Sequence, residues 1–335
     1  MGSIFEPRRC ILITYPRTAS SLFIKILNLD AQPSVAAMAP NRRGGNFFIP
    51  AKFHIVDNGL QTKCVCEWTE EERNGVRQKL QQGFDEIEEY VESAREEGKA
   101  AFFKEHSYVL ADPVAQSRFQ FGEDSANEEP WSIKVPEGFS AERSEANNTI
   151  FPDEYLRSWL PTFTVRHPAL VFPSHYRGLV DSSGYTEDRM IEEAGAFSTF
   201  YWTRSLYDCY KDALGIEPII LEADDVIQRP EVLFRYCELV GLDPEKLKFT
   251  WDAKSPEELA AIKNPVVKRF TSTINASSGV LQDKAARNID IEVEAKKWRE
   301  EFGERAGSKM EERVRKAMPD YVYLNDRRLK LEGEY

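Results

Sequence analysis

The chain has 335 residues, of which 41% are hydrophobic and 30% charged. This composition is ordinary for a soluble globular protein that is large enough to bury a substantial core. The formal net charge of −12 at pH 7 argues against a general nucleic-acid binder or a binder of anionic membranes. An anionic cofactor would therefore have to be held by a local basic pocket.

The cysteines and the hydropathy pattern further limit the class of protein to which the chain can belong. The five cysteines are odd in number and scattered, which does not indicate a disulfide framework. Cys64 and Cys66 could form half a metal site, but no second cluster with ligand spacing follows them, so we predict no metal. We find no signal peptide and no apolar run as long as a membrane span, which predicts a cytoplasmic protein without a membrane partner.

The first predicted elements are a strand, a tight loop and a helix. A run rich in Ile and Leu starts at Cys10 and stops at Tyr15, a polar turn follows, and an apolar pattern with helical spacing runs from Leu22 to Leu27. In a parallel sheet this unit places backbone N–H groups and the positive end of a helix dipole at the carboxyl edge of the strand, where an anion binds. The loop contains no glycine and is not a Walker A sequence.

The middle of the chain predicts one long helix and a second strand. Residues 31–68 are loop-rich, and residues 69–97 form a helix in which Thr69 and Glu72 make a capping box. Residues 99–103 form a short buried strand that ends in Lys104, Glu105 and His106. Residues 111–150 are polar and acidic, with little periodicity. We interpret 31–98 and 107–150 as insertions in a single domain that covers residues 1–335.

Strands and helices continue to alternate in the rest of the chain. The pattern predicts a short helix at 153–160, a strand at 161–165, a helix from about 186 to 214 capped by Thr186, a strand at 218–221 and a helix from Pro230 to Gly241. Further helices are predicted to start near 243 and 255, a loop spans 271–279, and a charged helix runs from about 290 to 317 and ends at Pro319. This alternation predicts an α/β fold with a parallel sheet covered on both faces.

Basic or titratable residues follow three of the predicted strands. Arg17 comes after the first strand, Lys104 and His106 come after the second, and Arg166 comes after the third. Ligands of doubly wound sheets bind at the carboxyl ends of the strands. The three strand ends therefore predict one anion pocket.

Three segments resemble the sulfotransferases that use 3′-phosphoadenosine 5′-phosphosulfate (PAPS). Residues 16–21, Pro-Arg-Thr-Ala-Ser-Ser, are similar to the family's 5′-phosphosulfate loop. Residues 104–106 are similar to its Lys-x-His segment, and residues 165–174 to its 3′-phosphate segment, where an Arg is followed eight residues later by a Ser. The resemblance covers the first 30 residues and most of 99–245.

The resemblance implies a fold, a reaction and a set of site residues. The fold is a three-layer αβα arrangement with a central parallel sheet, like that of the P-loop nucleoside triphosphatases. The reaction is transfer of a sulfuryl group from PAPS, which leaves 3′,5′-adenosine bisphosphate and needs no metal. The implied catalytic residues are His106 as general base, Lys104 and Arg17, and the implied cofactor-binding residues are Arg17, Thr18, Ala19, Ser20, Ser21, Arg166 and Ser174.

The sequence departs from the family pattern at several positions. Leu22 stands where an aromatic residue often stacks on adenine, and Arg17 replaces the commoner Lys. Pro173 could kink the helix that positions Ser174. The family's Arg-Lys-Gly segment is missing, and the loop at 271–279 is the candidate to replace it.

Other interpretations stay open at this stage. His106 could be a structural histidine, and Arg166 could belong to a structural ion pair. The chain could be a P-loop-type kinase, although it lacks the Walker glycines and lysine and an evident Asp for magnesium. It could also be a catalytically inactive nucleotide-binding relative.

The acceptor is predicted only as a class. A hydroxyl or amine on a small, largely apolar molecule fits the aromatic residues of the two insertions. The oligomeric state is left open, with a homodimer as one alternative. The aromatic residues in question are Phe47, Phe48, Tyr108, Phe119, Phe121 and Trp131.

Overall fold

Among the residues that the structure describes, the central sheet has four strands in the order β2-β1-β3-β4. They are β1 (Arg9–Thr14), β2 (Ala101–His106), β3 (Leu160–Val165) and β4 (Ile219–Glu222). β1 pairs in parallel with β2, from Arg9 beside Ala101 to Thr14 beside His106, and in parallel with β3. Residues 10–14 of β1 are all buried, which explains why this strand is a continuous apolar run and not an alternating pattern.

Helices flank this sheet, which confirms the predicted three-layer α/β class. The computed structural model describes residues 9–39, 42, 44–183, 186, 188, 198–286 and 288–334. Its α-helices in the N-terminal half are Ser20–Leu27, Ile49–Asp57, Glu70–Glu96, Ser107–Leu110, Pro113–Phe121, Asp153–Arg157 and Pro168–Ser183. The later ones are Tyr201–Asp208, Ala223–Gln228, Pro230–Val240, Pro256–Ala261, Pro265–Phe270, Ser272–Ala276, Ile291–Phe302 and Glu304–Asp326.

The chain divides into two compact units. The first unit contains Met1–Thr14, Pro33–Phe163 and Tyr201–Ile219. The second unit contains Tyr15–Gln32, Thr164–Phe200 and Ile220–Tyr335. The organisation as one domain with insertions at 31–98 and 107–150 stays a prediction.

The long helix Glu70–Glu96 organises the first unit. Its predicted apolar face is buried, including Val76, Phe84 and Ile87. Gly83 lies on this helix where a Cβ atom would be 2.6 Å from the carbonyl oxygen of Phe47. The glycine therefore lets the segment around Phe47 approach the helix backbone closely.

The predicted capping box at the start of this helix is present. The Thr69 side chain accepts a hydrogen bond from the Glu72 N–H at 3.2 Å, and the Glu72 carboxylate accepts one from the Thr69 N–H at 2.7 Å. These bonds satisfy two donors that a helix start otherwise leaves without partners.

Thr69→Ala is expected to lower the free energy of unfolding by about 1 kcal/mol, because the Glu72 N–H loses its acceptor. Urea denaturation measures the change. Thr62→Ala is the matched control, since Thr62 is exposed and its hydroxyl donates to the nearby Gly59 carbonyl oxygen at 3.1 Å. Equal stability losses in both variants would show that the cap does not stabilise the helix.

Helices pack against one another in the second unit. Phe23 of helix Ser20–Leu27 packs edge-on against Tyr236 of helix Pro230–Val240, with ring centroids 5.0 Å apart. Gly241 adopts a left-handed conformation and ends that helix as predicted. The Leu329 N–H donates to the Ile220 carbonyl oxygen at 2.7 Å, so the C-terminal segment supplies a hydrogen-bond donor to one backbone carbonyl of β4.

Several predicted elements are wrong in extent. The helix expected over 186–214 is instead a helix at Tyr201–Asp208 followed by a π-helix at Cys209–Ala213, and most of 186–197 lies outside the described residues. The expected loop at 271–279 contains helix Ser272–Ala276. The charged helix is divided at Gly303, whose φ of 85° breaks the helical backbone, and its second part continues through Pro319. The loop-rich stretch 31–68 holds a helix that starts with Pro50 in its first turn.

Candidate functional site

The loop after β1 has an unusual backbone. Arg17 and Ala19 both adopt positive φ angles, 72° and 60°, which are uncommon for residues other than glycine. The Thr18 hydroxyl donates to the Tyr15 carbonyl oxygen at 2.7 Å and lies 3.0 Å from the Thr164 hydroxyl. Helix Ser20–Leu27 starts directly after Ala19. Alternating left-handed residues before a helix N-terminus turn successive backbone N–H groups to one side, which suits an anion.

Arg17 is held in a defined orientation within the second unit. Its Nε donates to the Ser174 hydroxyl at 2.9 Å, and its Nη1 donates to the Phe270 carbonyl oxygen at 2.7 Å. The guanidinium carbon is 5.2 Å from the centroid of the Phe270 ring. Burial and, to a lesser extent, the charges of Arg166 and Arg269 together lower the pKa of Arg17 to about 10. The structure thus brings Arg17 and Ser174 together, as an anion site requires.

Arg166 belongs to the same cluster of cations. Its Nη1 lies 3.5 Å from the Arg17 carbonyl oxygen, and its Nη2 donates to the Lys284 carbonyl oxygen at 2.5 Å. Its buried Nε makes no hydrogen bond to the described residues. Burial lowers the pKa of Arg166, against the opposing charges of Asp224 and Glu222. A charged donor that is buried in this way is compatible with an anionic ligand.

The three serines predicted to bind the cofactor lie on two helices of this unit and differ in burial. Ser174 lies on helix Pro168–Ser183, which includes Pro173, so the proline does not prevent Ser174 from reaching Arg17. Ser20 is buried at the start of its helix, and Ser21 is exposed. Phe270 was not predicted, because its contact with Arg17 joins residues that are 253 positions apart in the sequence.

His106 and Lys104 lie on β2, in the first unit. Residues two apart on a strand point to the same face, so these two side chains share one face of β2. His106 Nδ1 is 2.7 Å from the hydroxyl oxygen of Thr14, its partner in the register of β1. Its ring is parallel to that of Tyr108, with an interplanar angle of 9° and centroids 5.8 Å apart.

Lys104 is a buried cation whose backbone is tightly packed. Its carbonyl oxygen accepts from the Asn46 N–H at 2.8 Å. A Cβ atom on Gly45, whose φ is +98°, would be 2.1 Å from that oxygen. Burial lowers the pKa of Lys104 to about 8, and the nearby Glu105 carboxylate opposes the shift. An anionic group beside this ammonium would favour its charged form.

Glu105 and Thr14 are site residues that the sequence analysis missed. The Glu105 carboxylate is fully buried and accepts the N–H groups of His106 and Phe48, both at 2.9 Å. Burial raises its pKa to about 7. Thr14 is also fully buried. A polar residue at the end of an apolar strand was the available signal for both, but only the structure gives their hydrogen-bond partners.

The aromatic residues of the predicted acceptor region are mostly packed inside the first unit. Phe47 contacts Phe103 edge-on at 5.4 Å, and Phe48 contacts Phe151 at 5.6 Å. Phe121 is 42% exposed. Phe119 stacks on Tyr201 at 4.6 Å. Phe119 is half-buried, whereas the other predicted aromatic residues except Phe121 are buried. Phe119 and Phe121 are therefore the better candidates to contact a ligand.

Two further observations concern metals and membranes. Within the described residues, no group of three or more His, Cys, Asp or Glu side chains is arranged to hold a metal ion. The Cys66 thiol donates to the Cys64 sulfur at 2.7 Å. None of the helices in the part of the chain that the structure describes is both long and apolar enough to cross a membrane.

The candidate residues thus form two sets. Arg17, which directly precedes Thr18 to Ser21, is linked to Ser174 and Arg166 within the second unit. His106 and Lys104 share a strand of the first unit with Glu105, beside Thr14. The single pocket that would contain both sets stays a prediction.

Comparison with known proteins gives two similar chains of nearly the same length. The chain is 39% identical to Sulfotransferase ppzF of Metarhizium rileyi (strain RCEF 4871) over 338 aligned residues, which cover 98% of each chain. It is 38% identical to Sulfotransferase ppzF of Metarhizium majus (strain ARSEF 297), again over 98% of each chain. No protein-family model matches the sequence, and no solved structure matches it. Identity at this level over the whole length shows that the chain belongs to the sulfotransferase family.

Proposed function

We propose that this sulfotransferase takes its sulfuryl group from PAPS and transfers it to a hydroxyl or amine of a small, largely apolar acceptor. His106 takes the proton of the acceptor as the acceptor oxygen or nitrogen attacks sulfur. The new bond to sulfur forms while the bond between sulfur and the phosphate oxygen breaks. The leaving electron pair stays on the phosphate of 3′,5′-adenosine bisphosphate. The transfer asks for positioning and for stabilisation of charge on oxygen, as phosphoryl transfer does.

The nucleotide side of this proposal is supported by the arginine cluster of the second unit. The backbone N–H groups of the loop from Thr18 to Ser21 would bind the 5′-phosphosulfate, together with the hydroxyls of Ser20 and Ser21. Arg17 and Lys104 would stabilise charge on the transferring group and on the leaving oxygen. Arg166 and Ser174 would hold the 3′-phosphate and so select PAPS over ATP.

The observation that carries the proposal is the link between Arg17, Ser174 and Arg166. The Arg17 side chain donates to the Ser174 hydroxyl, 157 positions away, and the Arg17 carbonyl oxygen lies 3.5 Å from Arg166 Nη1. Burial and mutual repulsion lower the pKa of Arg17, and a bound dianion would relieve both the desolvation and the repulsion. Such a cluster provides the local positive charge that a protein of net charge −12 needs for an anionic cofactor.

Two alternative functions differ from this proposal in nucleotide binding or in turnover. A P-loop-type kinase would bind ATP with magnesium in preference to the bisphosphate. A catalytically inactive relative would bind the nucleotide but would not turn over. The identity to proteins named sulfotransferase favours sulfuryl transfer over both alternatives.

Arg166→Ala is expected to weaken binding of 3′,5′-adenosine bisphosphate by about tenfold to a hundredfold, because a charge-assisted contact to the 3′-phosphate is lost. Binding of AMP, which has no 3′-phosphate, is expected to change much less. Isothermal titration calorimetry without metal measures both affinities. Arg235→Ala is the control, since Arg235 lies in the same unit and pairs with Glu238 on the surface of helix Pro230–Val240.

Titration of ATP with and without magnesium completes the test. Wild-type protein that binds ATP as well as the bisphosphate would overturn the assignment of PAPS as donor. Equal losses for AMP and the bisphosphate in Arg166→Ala would show that Arg166 supports the loop and does not recognise the 3′-phosphate.

A further inference from the structure

The hydroxyl of Thr14, at the end of β1, lies close to two polar atoms at the end of β2. It is 2.7 Å from His106 Nδ1 and 3.3 Å from the carbonyl oxygen of Glu105. Thr14 is fully buried, so water does not compete for its hydroxyl. The whole arrangement belongs to the first unit.

The chemistry of the three atoms restricts the proton positions. A threonine hydroxyl has one proton to donate, and a carbonyl oxygen can only accept. Both contacts are hydrogen bonds only if the hydroxyl donates to the Glu105 carbonyl and accepts a proton from His106 Nδ1–H. In the opposite tautomer the hydroxyl donates to Nδ1, and the Glu105 carbonyl loses this donor in a buried environment, which is unfavourable.

We propose that Thr14 is a positioning residue that holds neutral His106 in the Nδ1–H tautomer, with Nε2 unprotonated and ready to accept a proton. This inference rests on the proposed role of His106 as general base and adds which nitrogen acts and what fixes it. The second ring nitrogen of a histidine is commonly set in this way by the partner of the first. After proton transfer, Nδ1–H still donates to Thr14, so the imidazolium keeps its partner.

The strand pairing and hydrogen bonds around Thr14 and His106 are suited to hold the two side chains in this geometry. Thr14 and His106 are opposite each other in the parallel register of β1 and β2. The Glu105 carboxylate accepts the N–H groups of His106 and Phe48 at 2.9 Å, so it ties the end of β2 to the segment that precedes helix Ile49–Asp57. The Tyr108 ring lies parallel to the imidazole, with ring centroids 5.8 Å apart. The Glu105 carbonyl is therefore a fixed acceptor for Thr14.

Nitrogen NMR of the imidazole rings tests the tautomer without any acceptor substrate. The chain has four histidines, so ¹⁵N-histidine labelling gives four ring systems, and the His106→Gln variant assigns one of them. Above the pH at which the ring is charged, His106 is expected to show a protonated Nδ1 and an unprotonated Nε2. A wild-type spectrum with a protonated Nε2 would overturn the inference.

Two substitutions at Thr14 separate positioning from packing. Thr14→Val keeps the shape of the side chain but removes the hydroxyl, so the ring is expected to populate both tautomers and kcat to fall about tenfold, which is the effect of 1.36 kcal/mol in the barrier. Thr14→Ser keeps the hydroxyl and is expected to keep the Nδ1–H tautomer and most of the wild-type kcat. Thr162→Val is the matched control, because the Thr162 hydroxyl is equally buried and donates to the Ile11 carbonyl oxygen at 3.2 Å in the same sheet.

The readouts distinguish failure of this inference from failure of the proposed function. An unchanged tautomer and unchanged kcat in Thr14→Val would overturn the role of Thr14, even if His106 is the base. An equal loss of kcat in Thr162→Val would show that any buried hydroxyl of the sheet matters only for stability. Full turnover in the variant that lacks His106 would overturn the assignment of His106 as the base. The NMR spectrum of the wild type would still decide whether Thr14 fixes the tautomer of His106, because that measurement does not depend on turnover. If Thr14→Val does not fold, the wild-type and Thr14→Ser spectra decide.

Discussion

Replacing His106 with alanine is expected to lower kcat by about 10²- to 10⁴-fold, the range that a positioned general base contributes. Affinity for 3′,5′-adenosine bisphosphate is expected to stay within about twofold, since the proposed nucleotide ligands belong to a different set of residues. The physical reason is that the attacking hydroxyl or amine must lose a proton as its bond to sulfur forms. Initial rates with PAPS, followed by release of the bisphosphate, measure kcat, and calorimetry measures the affinity.

A second histidine of the first unit provides the control for this result. His54 lies on helix Ile49–Asp57 in the same unit, where its backbone carbonyl accepts from the Asn58 side chain at 2.8 Å. His54→Ala is expected to retain turnover. A fully active His106→Ala enzyme would remove His106 from the mechanism. A variant that lost turnover and nucleotide affinity together would indicate a structural role for the ring.

The strands and the strongly capped helices could be predicted from the sequence, for identifiable reasons. β1 is a buried parallel strand, so its apolar run is unbroken from Cys10 to Ile13 and ends where the loop begins. Helix Glu70–Glu96 combines a periodic apolar face with a capping box at Thr69, and both signals are local. Glycine at 241 ends a helix because it adopts a left-handed backbone conformation.

The parts that could not be predicted depend on contacts between distant residues. The continuation of helix Glu304–Asp326 through Pro319 was not predicted, because an interior proline is locally unfavourable and the helix packs against helices Ile291–Phe302 and Pro168–Ser183. The same holds for Phe270, which touches Arg17 across the sequence. The hydrogen bonds of the buried Glu105 carboxylate could not be predicted either, because one of its two donors, the Phe48 N–H, is 57 positions away in the sequence.

A local cluster of arginines explains how an acidic chain can bind an anionic nucleotide. A chain with net charge −12 repels an anionic nucleotide at long range, but salt screens that repulsion beyond about 10 Å. Within the second unit, Arg17 lies near both Arg166 and Arg269, and burial strengthens their joint field. Arg269 is also paired with Asp181 at 2.7 Å, so it contributes less charge than the other two. Binding of the cofactor is therefore expected to depend on Arg17 and Arg166 most strongly.

Arg17→Ala is expected to lower kcat/KM for PAPS by about 10²- to 10³-fold, the loss that follows removal of one preorganised donor to a reacting oxygen. The wild-type side chain is already oriented by its bonds to the Ser174 hydroxyl and the Phe270 carbonyl oxygen. Such an orientation means that little reorganisation is needed when the transferring group arrives. Alanine is preferable to glycine here, because Arg17 has a φ of 72° and glycine would also change the flexibility of the loop.

Arg17→Lys separates charge from geometry at the same position. A lysine keeps the positive charge but has a single ammonium in place of the planar fork, so it cannot reproduce the two directional bonds to Ser174 and Phe270. We expect kcat/KM between those of wild type and Arg17→Ala. Arg177→Ala is the matched control, because Arg177 also makes two hydrogen bonds, both to Glu301 at 2.6 Å, and also lies over an aromatic ring, that of Phe302. Wild-type kcat/KM in Arg17→Lys would show that charge alone suffices, and wild-type kcat/KM in Arg17→Ala would exclude Arg17 from the transfer step.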